Sequence, residues 1–209
     1  MRDGSDSVRQ LLAFASAEFG DHLSGLLLSG YGGGAAARQR SYAVLTRDGS
    51  GQQQEHIVKV ATEHHSGLPS GQEPLVLLAL LKLLIAGKGL ETGRVIYTHK
   101  AVSRVIGWEY SPATGEAVDA AVMRYFHLSY GQEESVSIPS GGPLMRYSQS
   151  RRLITGYDYQ DEVEASGGRG ARSYNRVTFR REFIEQLRGR SLFDFDWEHV
   201  ISVRPLKED

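Results

Sequence analysis

One segment of this chain dictates how the rest must be arranged. From Pro74 to about Ala86, the residues Leu75, Leu77, Leu78, Leu80, Leu81, Leu83, Leu84 and Ile85 fall on nearly every side of a helix. A helix without a polar face cannot lie on a surface, so other elements must pack round it, and the segment is expected to be the centre of the core. Pro69-Ser-Gly-Gln-Glu-Pro74 supplies its entry, with Ser70 as the expected cap and Pro74 tolerated in the first turn. The run is far shorter than the roughly eighteen apolar residues of a membrane span, and it contains Lys82. With 209 residues the chain can bury a full core, and one globular domain is expected.

Upstream, Val8, Leu11, Leu12, Ala15 and Phe19 recur at helical spacing behind capping residues at Asp6 and Ser7, which predicts a short amphipathic helix. An apolar stretch, Leu23 to Leu28, then runs into Ser29-Gly-Tyr-Gly-Gly-Gly-Ala-Ala-Ala-Arg38. Its glycines oppose regular structure, and no Gly-Lys-Ser/Thr follows to make a phosphate loop, so this reads as a hinge. Residues 1–40 are therefore expected to form an N-terminal helical arm with a Gly-rich hinge, and residues 41–205 the folded domain. Ser41 to Arg47 and His56 to Ala61 are β-type runs joined through Asp48-Gly-Ser-Gly-Gln52, which predicts a small antiparallel ribbon.

After the apolar helix the pattern becomes diagnostic. Arg94 to Tyr97 is a short strand, and Thr98 can cap a helix from His99 to Ile106 that Gly107 ends. Glu109 to Gly115 is rich in turn and cap residues, and Glu116 to His127 is the next helix, with Val118, Val122 and Tyr125 facing the core. Leu128 to Tyr130, Met145 to Ser148, Leu153 to Gln160 and Ser173 to Phe179 are strand candidates. Helix, short strand, two helices and a β-hairpin is the winged-helix order, so the expected class is α+β: a helix-turn-helix with a hairpin wing, plus the N-terminal arm and the ribbon.

Charge points the same way only locally. The net charge of −1 opposes wholesale coating of nucleic acid, yet between Met145 and Ser191 ten arginines and no lysine stand against six acids. Arginine suits bidentate contacts to phosphate and guanine. In a winged helix the second helix of the motif enters the major groove and the wing touches phosphates, so double-stranded DNA is the expected partner. Lys100 and Arg104 are then candidate backbone contacts and Arg124 a candidate at or beside the groove. Arg151 and Arg152 would stand on the wing, with Arg172 and Arg176 nearby. Glu116 and Asp119 would repel phosphates if they pointed outward.

These residues also carry a family resemblance. Leu77-Leu-Ala-Leu-Leu-Lys-Leu83, Tyr97-Thr98, Val105-Ile-Gly-Trp108 and the set Val118, Val122, Arg124 and Tyr125 resemble the plasmid replication-initiator protein A family. Arg151-Arg-Leu-Ile-Thr-Gly-Tyr157, Ser173-Tyr-Asn-Arg-Val177 and Phe183 to Asp196 look like its later segments, so the similarity runs from about Pro74 to Val203. It implies a winged-helix initiator that binds origin repeats, recruits host replication proteins and often represses its own promoter. Such proteins usually continue into a second helical unit, whereas this sequence runs to Asp209, so the resemblance implies a single-unit or truncated relative, or one whose winged helix serves as a regulator or docking module.

Other classes find little support. There is no cysteine, which removes disulfides, thiolate zinc sites and cysteine nucleophiles. The seven histidines include no pair at helical metal-binding spacing with an acid beside it, and His64-His65 reads as an exposed turn pair. Asp194, Asp196 and Glu198 alternate with aromatics as the outer edge of an extended segment would, and Tyr147, Tyr157, Tyr159 and Tyr174 need only β propensity. No catalytic residue, cofactor or metal is expected, and the N-terminus lacks a secretory signal, so the expected location is cytoplasmic. The competing reading is a protein-interaction or regulatory module in which Val8 to Leu28 pairs two chains into a homodimer.

Overall fold

The computed structural model describes residues 4–20, 37–136, 145–161, 173–189 and 199–206. The Leu23 to Leu28 stretch, the glycine-rich hinge, Arg172 and the Asp194, Asp196, Glu198 set lie outside the described residues.

The apolar helix, α2 (Glu73–Ala86), is the centre of the core: every residue from Pro74 to Leu81 is buried, as is Leu84. Its start differs from the expected one. Gln72 holds the cap position without a side-chain bond, and Ser70 contributes its backbone N–H, which donates to Glu73 Oε2 at 2.9 Å. The Glu73 carboxylate therefore fixes the chain just before the helix, and the Ser70 hydroxyl does not cap it. Against α2 lies α1 (Gly4–Phe19), whose Leu11, Ala15 and Phe19 form a buried stripe. Lys82 Nζ sits 5.7 Å from the centre of the Phe14 ring, so the one cation on α2 lies over an aromatic face of α1. The N-terminal helix is thus packed into the body rather than held out as an arm.

The remaining helices follow a short strand. β3 (Arg94–Tyr97) leads into α3 (His99–Ile106), and after a five-residue connection comes α4 (Pro112–Phe126). The Thr98 hydroxyl accepts from Ala101 N–H at 3.1 Å to start α3, and Gly107, with φ of 87°, ends it in the left-handed conformation that glycine adopts without steric cost. α4 starts four residues before its expected beginning at Glu116. Ser111 and Thr114 form a reciprocal capping box and Pro112 takes the first turn, so residues that resemble a turn are the helix start.

Two antiparallel sheets complete the fold. The smaller has the order β3-β7-β6, built with β6 (Ile154–Asp161) and β7 (Ser173–Phe179). The larger has the order β5-β4-β2-β1-β8, from β1 (Gln39–Arg47), β2 (Gln53–Thr62), β4 (Leu128–Val136), β5 (Met145–Arg152) and β8 (Val200–Pro205). The expected ribbon is therefore the middle of a five-stranded sheet. Its hairpin signal is local, whereas its other partners are supplied by residues 128 and beyond. A fifth helix, α5 (Arg181–Gly189), joins the sheets: Phe183 packs 5.9 Å from Phe179 of β7 and 6.0 Å from Tyr130 of β4, ring centre to ring centre. The Tyr130 hydroxyl donates to Gln186 Oε1 at 3.2 Å, and burial raises its pKa to about 12. Among the described residues no helix is long and apolar enough to cross a membrane.

Candidate nucleic-acid interface

The pair α3 and α4, with its polar turn, is the part of the molecule that the sequence marks for duplex DNA. α3 buries Val102, Ser103 and Ile106 and leaves Lys100 and Arg104 exposed, one helical turn apart. Among the described residues neither is paired with an acid. Arg94, at the start of β3, is exposed as well.

α4 buries Gly115, Val118, Ala121, Val122 and Tyr125, which places Val118, Val122 and Tyr125 where their spacing predicts. Its polar residues divide sharply. Arg124 is committed to the fold: its Nε lies 3.2 Å from Glu73 Oε1, both side chains are only 21% exposed, and a terminal nitrogen reaches the Leu68 carbonyl at 3.5 Å. That bond pins the last turn of α4 to the first turn of α2. Asp119 is also tied to the fold, although its side chain is 39% exposed. Its Oδ1 lies 2.8 Å from His99 Nε2 and accepts from the Tyr157 hydroxyl at 3.1 Å, while Asn175 Nδ2 is 2.7 Å from the same imidazole nitrogen. One polar network thus ties the start of α3, the middle of α4 and both strands of the β6-β7 hairpin.

Gly115 is what allows this approach, since a Cβ there would stand 3.2 Å from His99 Nδ1. Tyr97 Oη and Asn175 Oδ1 are buried without a hydrogen-bond partner among the described residues, and burial raises the pKa of Tyr97 well above the tyrosine range. What remains outward on α4 is Pro112, Ala113, Glu116, Ala117 and Ala120.

The arginines of the later segments do not converge. Arg176 is on β7, where it faces Asp158 of β6 at 3.0 Å. Arg151 and Arg152 are not on the β6-β7 hairpin. They end β5, in register with Tyr130 and Ser129 of the larger sheet, because a separate β4-β5 hairpin intervenes between α4 and β6. Arg151 is partly buried, and Arg152 pairs with Glu63 at 3.3 Å. Lys100 and Arg104 thus share one face, Arg124 is internal, Arg176 is paired on the hairpin, and the β5 pair belongs to another sheet.

Sequence reasoning missed the His99, Asp119, Tyr157 and Asn175 network, whose members are up to 76 residues apart. The one local sign was Gly115, which reads as a turn residue in the sequence and lies inside α4 in the structure. It also missed a histidine group at the far end of α4. His64 and His65 stack at 4.4 Å and His127 lies 5.5 Å from His64, ring centre to ring centre. Desolvation, then the neighbouring His65, His127 and Arg124 charges, holds the His64 pKa below the usual histidine value. Among the described residues no group of three His, Asp or Glu side chains is placed to hold a metal ion.

No protein-family model matches this chain, and no curated protein matches it. Solved structures of domains 2 and 3 of RctB do share its fold. A selenomethionine form of these domains superposes with a TM-score of 0.51 at 15% identity, over 76% of this chain and 57% of that one. A second, spanning RctB 155–483, gives a TM-score of 0.50 at 15% identity, over 79% of this chain and 59% of that one. This chain therefore spans less than two thirds of the RctB fragment, and at such identity the likeness concerns the fold alone.

Proposed function

We propose that this chain is a replication-initiator-like protein that binds double-stranded DNA through a winged helix made of α2, β3, α3, α4, β6 and β7. The observation that carries the reading is topological. Helix, strand, helix, helix and hairpin follow in the winged-helix order, and the hairpin's second strand lies between β3 and β6 in the sheet. The β4-β5 hairpin is then an insertion that joins the larger sheet. The sequence resemblance to plasmid initiators supports the same reading, and the fold shared with domains 2 and 3 of RctB is compatible with it.

In this arrangement α4 enters the major groove and α3 crosses the backbone, where Lys100 and Arg104 meet phosphates. Arg176 belongs to the hairpin, which would lie along the neighbouring backbone. Arg124 acts indirectly, by fixing the angle of α4 against α2. Recognition of particular repeats, and repression of the protein's own promoter, belong to this reading as they do to the family it resembles.

The same reading makes the protein a binder and not an enzyme. A cavity of about 310 Å³ is lined by residues such as Leu81, Leu84 and Leu90, and Glu18 is its one ionisable wall residue. That cavity brings no acid, base and nucleophile together among the described residues. A protein-contact reading has one observation in its favour: Ile96, 66% exposed, stands on β3, the open edge of the smaller sheet.

Fluorescence anisotropy with a random duplex and with the DNA flanking the gene, each over a salt series, separates the two. Binding that weakens steeply with salt and prefers the flanking DNA is the expected result. Absence of binding to either duplex at low salt would overturn the DNA reading and leave the β3 edge as the feature to pursue.

A further inference from the structure

If α4 enters the groove, its outward side chains decide what it reads, and the following inference rests on that reading. Those side chains are the Pro112 ring and the methyl groups of Ala113, Ala117 and Ala120, with the Glu116 carboxylate among them. Glu116 has no hydrogen-bond or ion-pair partner among the described residues. The other charged groups of α4 are spent elsewhere, Arg124 on Glu73 and Asp119 on His99 and Tyr157. The helix that should read bases therefore presents a hydrogen-bond acceptor and no free cation.

Base-edge chemistry then narrows the target. In the major groove guanine offers only acceptors, N7 and O6, and thymine offers the O4 acceptor beside its methyl group. A carboxylate is repelled by all of these. Adenine offers the N6 amino donor, but its N7 acceptor stands beside it and opposes the second carboxylate oxygen. Cytosine presents its N4 amino group without a neighbouring acceptor of its own. Alanine methyls make apolar contact with the thymine methyl. We infer that Glu116 is a specificity-determining residue that accepts a hydrogen bond from cytosine N4 in a pyrimidine-containing half-site, with the flanking alanines against thymine. Lys100 and Arg104 on α3 supply the phosphate attraction that a helix bearing a lone carboxylate lacks.

Selection of bound sequences from a randomised duplex library tests this, using the full chain and its Glu116→Gln and Glu116→Ala variants. Glu116 is exposed, so both variants should keep the wild-type circular-dichroism spectrum and unfolding midpoint. The wild type should enrich cytosine at one position, with any other base there weakening binding about 5- to 100-fold. Glu116→Gln should move that same position to adenine, because a glutamine amide pairs with adenine N6 and N7 together. Glu116→Ala should lose the preference there and keep it elsewhere. If all three proteins select the same site, the assignment of Glu116 is overturned while duplex binding stands. If the folded wild type binds no duplex at low salt, the DNA reading itself falls and takes the assignment with it.

Discussion

Helix α3 and the edges of the larger sheet use their cations in opposite ways. Beside the smaller sheet, Lys100 and Arg104 of α3 are exposed and unpaired among the described residues, and the acid nearest in sequence on α4, Glu116, points away from the core as well. On the larger sheet Arg152 is held by Glu63 at 3.3 Å and Arg204 by Glu55 at 2.7 Å. Net charge cannot register this difference, since a free arginine and a paired one count alike. A protein of net charge −1 can still present a cationic surface where it matters, provided that its acids are placed against other cations. The contrast makes the helical module the part expected to meet a polyanion and the larger sheet the part expected to brace it.

The largest effect should come from the shared support of both regions. Leu78, fully buried on α2, is surrounded on all sides, and Leu78→Ala should cost about 3 kcal/mol of unfolding free energy through lost burial and the cavity left behind. Urea denaturation measures this as a lowered midpoint, and a loss below about 1 kcal/mol would mean that α2 is less central than its burial implies. Next is Arg124→Ala, which leaves Glu73 partly buried without its cation. A loss of about 2 kcal/mol is expected, reduced from a fully buried pair because both side chains are 21% exposed. Its salt dependence of DNA binding should match the wild type, which separates a residue that sets the angle of α4 from one that touches phosphate.

How much of this was legible follows the reach of each signal. Thr98, Gly107, Ser111 and Pro112 act within four residues of themselves, so the helix pair could be read from the chain, with only the start of α4 displaced. The buried face of α4 was equally legible from spacing. The five-stranded sheet was not, because β1 and β2 announce only each other while β4 and β8 come from residues 128–136 and 200–205. The same limit governed the site. Arg124 looked like a DNA contact because nothing local reveals Glu73, which lies 51 positions earlier, and Asp119 looked like a phosphate repeller because His99 and Tyr157 are 20 and 38 positions away. A charged side chain declares its type in sequence, but its partner is a property of the fold.

The double variant Lys100→Glu, Arg104→Glu breaks the contrast from the side of the free cations. Reversal of two phosphate-facing charges should weaken binding to every duplex about 10- to 100-fold and flatten the slope of log affinity against log salt by about 2. Both side chains are exposed, so unfolding free energy should stay within about 0.5 kcal/mol of the wild type.

The smallest effect, and the sharpest check, is Arg152→Ala on the larger sheet. The Arg152 and Glu63 side chains are 50% and 80% exposed, and a surface pair of that kind contributes about 0–1 kcal/mol, so stability should barely move. Its DNA affinity and salt slope should also stay near the wild type, because β5 lies at the edge of the sheet that excludes β3, β6 and β7. A fall comparable with that of the α3 double variant would mean that the interface continues from the helix pair onto β5. The two sheets would then form one binding surface, and the pairing of Arg152 with Glu63 would be a resting arrangement that DNA replaces with phosphate.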